Sequence, residues 1–382
     1  MKRLYVWLCL LLLLCVPLQA HAQEDEIQEE AERQLETYDL SPWLEATSRL
    51  SHELQTLWNG MPITDWMMEY ASGDLSIDYA DMERGLKDIL RSALTDNAFT
   101  IARLFAIALL TGVLGTLFDD VHGIREVLML LCYGMMVTAS ASFFLDIVQR
   151  AQQTMGEISA FAAMTTPVLV TMLCATGRVT SAGMLRPLMA FLSDGVMDFF
   201  TGTVLPVVTA AGLLTIAGNL TARQELKRFG TLLKSACKWM IGFVFTVYVG
   251  VVTLQGMSVA GADSIGIRTA KYTLDKAVPV VGGIVSGTLD TVRGCAVLIK
   301  NAAGAATVLL TLAYALMPVL QIVAAGLTFR LCAAVCEPVS DGHIAGMIAD
   351  MGELCNYVLA VVIVVALMFM IMAGLVMAVG NG

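Results

Sequence analysis

From residue 98 onward the chain alternates between apolar stretches near twenty residues long and short polar or glycine-rich pieces. The stretches fall at 99–118, 127–145, 158–176, 199–218, 239–260, 302–328 and 354–379. Each is long enough for a helix to cross a hydrocarbon core of about 30 Å. In lipid such segments must be helical, because every backbone polar group has to be satisfied inside the segment. The pattern predicts an all-α, polytopic membrane domain over 98–382 with about seven transmembrane helices. Two further pieces are ambiguous. Residues 188–200 contain Asp194 and Asp198, and 277–289 is short and glycine-rich. Either fits a re-entrant or half-spanning helix.

The first 97 residues follow other patterns. Lys2 and Arg3 precede an apolar run at 4–16, Pro17 breaks it, and Ala20-His21-Ala22 supplies small residues at a cleavage site. This is the order of a secretory signal peptide, 1–22. Residues 23–97 are then an extracytoplasmic region. Ser41 and Pro42 suit an N-cap and a first helical position. Trp43, Ala46, Leu50, Leu54, Leu57 and Trp58 follow on one helical face, up to a stop at Asn59-Gly60. A second amphipathic run carries Met82, Leu86, Ile89, Leu90 and Ala93. A region of this size has a small core at best. Its helices are expected to pack on the membrane domain or on a partner.

Composition sharpens this picture. Hydrophobic residues make up 57% of the 382 and charged residues 15%, against about 25% charged in ordinary soluble domains. That excludes a disordered chain or a nucleic-acid binder. The net charge of −10 is concentrated. Residues 23–97 hold 18 acids and 5 bases, a net of −13, whereas 98–382 hold 16 bases and 15 acids. A nearly neutral membrane domain carries an acidic exported arm.

Seven spans after an exported N-terminus place the C-terminus in the cytoplasm. Arg178, Arg186, Arg268, Lys271, Lys276, Arg293 and Lys300 then lie inside, in keeping with the positive-inside rule. Residues 219–238 break the rule, with Arg223, Lys227, Arg228, Lys234 and Lys238 outside against one acid. A hairpin or broken helix at 188–218 would return them to the cytoplasm, where the run Leu226, Phe229, Leu233, Ala236 and Met240 suits an anionic leaflet.

Catalytic and cofactor signatures are missing. There is no G-x-x-x-x-G-K loop, no H-E-x-x-H and no G-x-G-D. An enzyme is not expected, nor is a cofactor or metal site. The cysteines beyond the leader sit in or beside apolar segments as small hydrophobes. Cys332 and Cys336 share a helical face without partners for zinc.

What remains are charges in apolar surroundings: Asp146, Arg186, Asp194, Asp198 and Asp290, with Arg103 as a further base. Such residues face a bundle interior, a water-filled cavity or the interface. They are candidates for a polar pathway or subunit contact. Asp194 and Asp198 share one helical face. Pro279, Gly282, Gly283 and Gly287 mark a candidate re-entrant or packing segment, and Gly342 and Gly346 repeat the small-x-x-x-small spacing. Pro167 and Pro187 are matched by Pro318 and Pro338 at an offset of 151. Two readings are open here, an inverted repeat of the transporter kind and chance in an apolar sequence.

The C-terminal half carries an ordered set of short runs. Lys276-Ala277-Val278-Pro279-Val280-Val281-Gly282-Gly283 precedes Asp290 and Lys300-Asn301-Ala302-Ala303-Gly304, and Glu337-Pro338-Val339-Ser340-Asp341 and Gly380-Asn381 follow. With the leader, acidic arm and polytopic remainder, this resembles the stage III sporulation protein AE family of endospore-forming bacteria. The resemblance implies a subunit of the stage III sporulation A complex in the mother-cell membrane around the forespore. Its partners would be the other stage III sporulation A proteins and, indirectly, the forespore protein Q. Together they would form a channel or feeding apparatus. It implies no catalytic residues. The second functional reading is a stand-alone secondary transporter or permease.

Overall fold

The computed structural model describes residues 38–50, 60–73, 79–117, 122–220, 224–262, 282–337 and 342–379. Ala20, Ala22 and the leader around them lie outside the described residues, as does Pro279. Among the described residues all regular structure is helical.

Two short helices come first, α1 (Ser41–Arg49) and α2 (Ile63–Ser72). Pro42 sits in the first turn of α1, as its fixed φ allows. The cap differs from expectation. Ser41 is already helical, and Asp39 accepts its backbone N–H at 3.0 Å. The Ser41 side chain and then its backbone N–H hold the Asp39 carboxyl below the usual aspartate range. Helix α2 was not foreseen. It ends at Gly73, whose φ of +82° is the left-handed conformation that closes helices.

Helix α3 (Tyr79–Leu117) fuses the second amphipathic run to the first apolar stretch. Helix α4 (His122–Ala175) fuses two predicted spans into one rod of 54 residues, about 80 Å at 1.5 Å per residue. The polar residues between those spans are not a separate connecting piece. They are instead the outer face of an amphipathic helix. Ile147, Val148, Ala151, Met155 and Ile158 are buried, while Asp146, Gln149, Arg150, Gln152 and Gln153 are exposed. Gly156 is the weakest helix former there, and a single glycine costs only about 1 kcal/mol.

Gly177, at φ +82°, ends α4, and α5 (Val179–Ala190) begins after Arg178. Two π-helical stretches, Phe191–Val196 and Phe200–Val204, flank a single α turn at Met197–Phe199 and lead into α6 (Leu205–Leu220). Residues 188–218 are therefore a continuous helix with widened turns and not a hairpin. Pro206 explains the second widening, since it has no N–H for the carbonyl four residues back and its ring pushes that carbonyl aside. At the first, the Phe191 ring lies where a Cβ on Gly195 would be 3.1 Å away. Helices α7 (Gln224–Ala262), α8 (Gly282–Cys336) and α9 (Gly342–Ala378) complete the chain. The small 277–289 piece thus supplies, from Gly282 on, the start of the 55-residue α8.

Among the described residues five helical stretches are long and apolar enough to cross a membrane: Leu130–Ala175, Val179–Asn219, Arg228–Gly256, Val292–Cys336 and Ala345–Ala378. Ala98–Leu114 of α3 is a shorter sixth. The expected seven become five long and one short, because 127–145 and 158–176 belong to one rod.

Helices α8 and α9 form the centre and run antiparallel. Gly304 lies against Met377 and Ala373, Gly326 against Cys355, and Gly352 against Phe329. Helix α4 runs antiparallel to α8, with Phe143 on Phe329 at 5.2 Å between ring centroids and Phe161 on Tyr314 at 5.9 Å. Helix α7 is parallel to α9, since Lys234 reaches Asp350 and Tyr248 reaches Met368. One core cluster runs through the bundle and takes in Trp43, Ala46, Ile63 and Met67 from α1 and α2. Thus α1 and α2 pack into the same core as the long helices.

Candidate functional site

Two lysines fasten α9 near its two ends. Lys234 of α7 donates to Asp350 at 3.1 Å and Glu353 at 2.7 Å. Lys300 of α8 is fully buried and donates to the carbonyls of Val376, Met377 and Val379 at 3.0, 2.8 and 2.5 Å. The last carbonyls of a helix lack intrahelical partners and carry its negative dipole end, so a cation there satisfies both. Arg178, at the turn between α4 and α5, lies close enough to Lys300 to act on it electrostatically. Between Glu353 and Val376 α9 carries no charged residue. That interval is about 34 Å at 1.5 Å per residue, close to the thickness of a hydrocarbon core.

A small cavity of about 20 Å³ is lined by Phe161, Thr165, Thr307, Thr311, Phe369 and neighbouring apolar groups, roughly the room one water needs. Thr165 and Thr307 bond back to their own helices, at Phe161 and Ala303. Thr307 also receives the indole N–H of Trp43 at 3.0 Å, and the Tyr314 hydroxyl donates to the Ala46 carbonyl at 2.9 Å. So α1 docks halfway along α8 and not on its end.

The candidate charges lie on the outside. Asp146, Arg186, Asp194 and Asp198 are all exposed. Among the described residues no ion pair joins Arg186 to Asp194 or Asp198. Asp194 lies in the first π-helical stretch and Asp198 in the α turn that follows it. Asp290 and Gly282, Gly283 and Gly287 lie in the first turns of α8, where only the backbone is described. Gly346 has open space around it, so it is not a packing contact. The close approach of α8 and α9 uses Gly304, Gly326 and Gly352 instead, small residues that let two backbones meet. Pro167, Pro187 and Pro318 lie inside α4, α5 and α8; Pro338 is outside the described residues.

Lys234 and Lys300 were not among the sequence candidates. Each stands at the margin of an apolar stretch, where a lysine ordinarily extends its tip to the interface. Their acceptors lie far along the chain, on another helix. Cys132, Cys237, Cys332 and Cys355 are buried. Among the described residues no group of three His, Cys, Asp or Glu is placed to hold a metal ion.

The sequence profile of stage III sporulation protein AE matches residues 61–380, from α2 to the end of α9. The chain belongs to the stage III sporulation protein AE family. It is also similar to the stage III sporulation protein AE of Bacillus subtilis (strain 168), at 22% identity over 395 residues covering 100% of this chain and 98% of that protein. No solved structure matches the chain. The family assignment and the five long apolar helices together describe a multi-pass, sporulation-related membrane protein. In this family member α1 lies ahead of the matched stretch, yet its Trp43 is buried in the shared helical core.

Proposed function

We propose that the chain is an integral-membrane subunit of the stage III sporulation A complex, in the mother-cell membrane around the forespore. There it would act with its sister stage III sporulation A proteins and, through them, with the forespore protein Q in a channel or secretion-like apparatus. The observation that carries this reading is the family match over 61–380. The outward placement of Asp146, Asp194 and Asp198 supports it, because charges on the outside of a bundle call for a partner or water. In this reading the leader 1–22 is removed and the acidic arm is exported. Helices α3 to α9 then make six passes, with 219–238 on the cytoplasmic side and the C-terminus on the side of the arm. The basic stretch then lies inside without a hairpin at 188–218, while Arg178, Arg268, Lys271, Lys276, Arg293 and Lys300, which seven passes would put inside, come to the side of the arm.

The test is affinity purification of the tagged full chain from sporulating cells, together with deletion of its gene. The proposal requires co-purification of other stage III sporulation A proteins and arrest of forespore development. Normal spores after deletion would overturn it. The second reading, a stand-alone carrier, requires solute uptake by the purified chain alone in liposomes.

A further inference from the structure

At one level of the bundle the two outer faces have opposite chemistry. On α7, Trp239, Phe243, Val247, Val251 and Leu254 are exposed along one side. Just before them come Lys234 and Lys238, with the Trp239 ring stacked on Phe243 at 5.0 Å. An aromatic residue between a basic stretch and an apolar helix is the usual mark of a membrane–water boundary. Beyond it, α7 continues without a charge to its end at Ala262. This face fits lipid.

The same level on α4 is polar. Arg150 donates to Gln321 of α8 at 3.0 Å, and Phe161 meets Tyr314. Gln321 and Tyr314 lie between Gly304, which faces Met377, and Gly326, which faces Cys355. Within that same interval of α9, Met368 receives Tyr248 of α7. Carried through these contacts and through Lys234 on Asp350 and Glu353, Asp146 comes level with Lys234 and Lys238, whereas Gln149, Arg150, Gln152 and Gln153, all exposed, come level with the turn from Trp239 to Phe243. Helix α1 adds to the polar side. Its Glu45 and Arg49 are exposed and paired at 2.5 Å, and Trp43 and Ala46 seat it at Thr307 and Tyr314. Glu157 of α4, Glu45 and Arg49 all act electrostatically on Tyr314, which brings the two polar elements to one place.

We propose that the α4 face from Gln149 to Glu157, together with α1, faces water at the depth where α7 faces lipid. The bundle is then one wall of an aqueous space, with an apolar back and a polar front. A carboxylate, a guanidinium and three amides can keep their hydration there, which hydrocarbon would deny them. The inference rests on the membrane-subunit reading above and specifies which face of the subunit meets water.

The test uses the full chain in open membrane fragments, so that both sides are accessible. Single variants Gln149→Cys, Gln152→Cys and Gln153→Cys are compared with Phe243→Cys and Val247→Cys for reaction with a membrane-impermeant maleimide, above the parent chain's own labelling. The expected result is α4 labelling faster by on the order of tenfold or more, since only a water-exposed thiol forms the reactive thiolate. Three α4 positions on the exposed face guard against misfolding of any one. Slow labelling at α4 would mean that protein or lipid covers that face, and would overturn the proposal. Fast labelling at α7 would place this level outside the bilayer, and would overturn it too. Failure to co-purify sister proteins would sink the complex while leaving these rates unchanged.

Discussion

The indole N–H of Trp43 donates to the hydroxyl of Thr307 across 264 positions of sequence, with both residues buried. The contact makes α1 a part of the bundle. Trp43→Ala empties a large buried site, and such truncations cost about 3–5 kcal/mol. The expected outcome is release of α1, seen as faster proteolysis within 38–60 in membranes. Trp43→Phe keeps most of the bulk and loses one hydrogen bond, a loss of about 1 kcal/mol. Equal protease resistance in parent and Trp43→Ala would show that the docking is unimportant. Acid should act in the same direction. The folded-state pKa of Asp39 is depressed, so its capping contribution is present above the ordinary aspartate range and fades as pH falls through the depressed value.

Lys300 closes the last turn of α9. Replacing it by Met removes three hydrogen bonds and leaves buried carbonyls unsatisfied, at about 1–3 kcal/mol for each orphaned group. Lys300→Met should therefore lower the thermal midpoint in detergent well below that of the parent. A midpoint within error of the parent would contradict the closure.

At the opposite end the two acids share one cation. Asp350 and Glu353 side chains are 40% and 52% exposed, and exposed ion pairs contribute only about 0–1 kcal/mol. Either Asp350→Asn or Glu353→Gln alone should change stability little. The double change leaves Lys234, 10% exposed, without an anion and should cost more than the two singles added. A strictly additive double-mutant cycle would argue against a shared clamp.

A Cβ at Gly304 would collide with Met377. Gly304→Val should separate α8 from α9 and reduce detergent-resistant folded protein, whereas the same change at Gly346, with open space around it, should be tolerated. Comparable loss from both would mean that helix propensity dominates over packing.

If Asp194 and Asp198 form a subunit contact, changing both to Asn should impair sporulation at unchanged protein level. They are exposed in the bundle, so folding should survive. A normal spore count would remove them from any contact.

Hydrophobic spacing made the helical class and the apolar lengths of α8 and α9 legible, but not their pairing. It failed where an amphipathic helix continues through polar residues. The stripe Ile147, Val148, Ala151, Met155 and Ile158 was present in the sequence, but a search for unbroken apolar runs stops at Asp146. The same blindness hid α2, whose Trp66 and Met67 are buried among residues too few to form an apolar run. Lys234 and Lys300 were hidden for another reason. A lysine's acceptor is a matter of tertiary register, and Lys300 bonds to backbone carbonyls, which no side-chain motif can announce.

The closure at Lys300 also sets an order of synthesis. Its acceptors lie 76, 77 and 79 residues downstream, so they leave the ribosome well after the lysine does. Until Val379 emerges, α8 holds a cation whose final ligands do not yet exist. A chain cut back past Val376 would leave that buried ammonium without any of its three carbonyl acceptors.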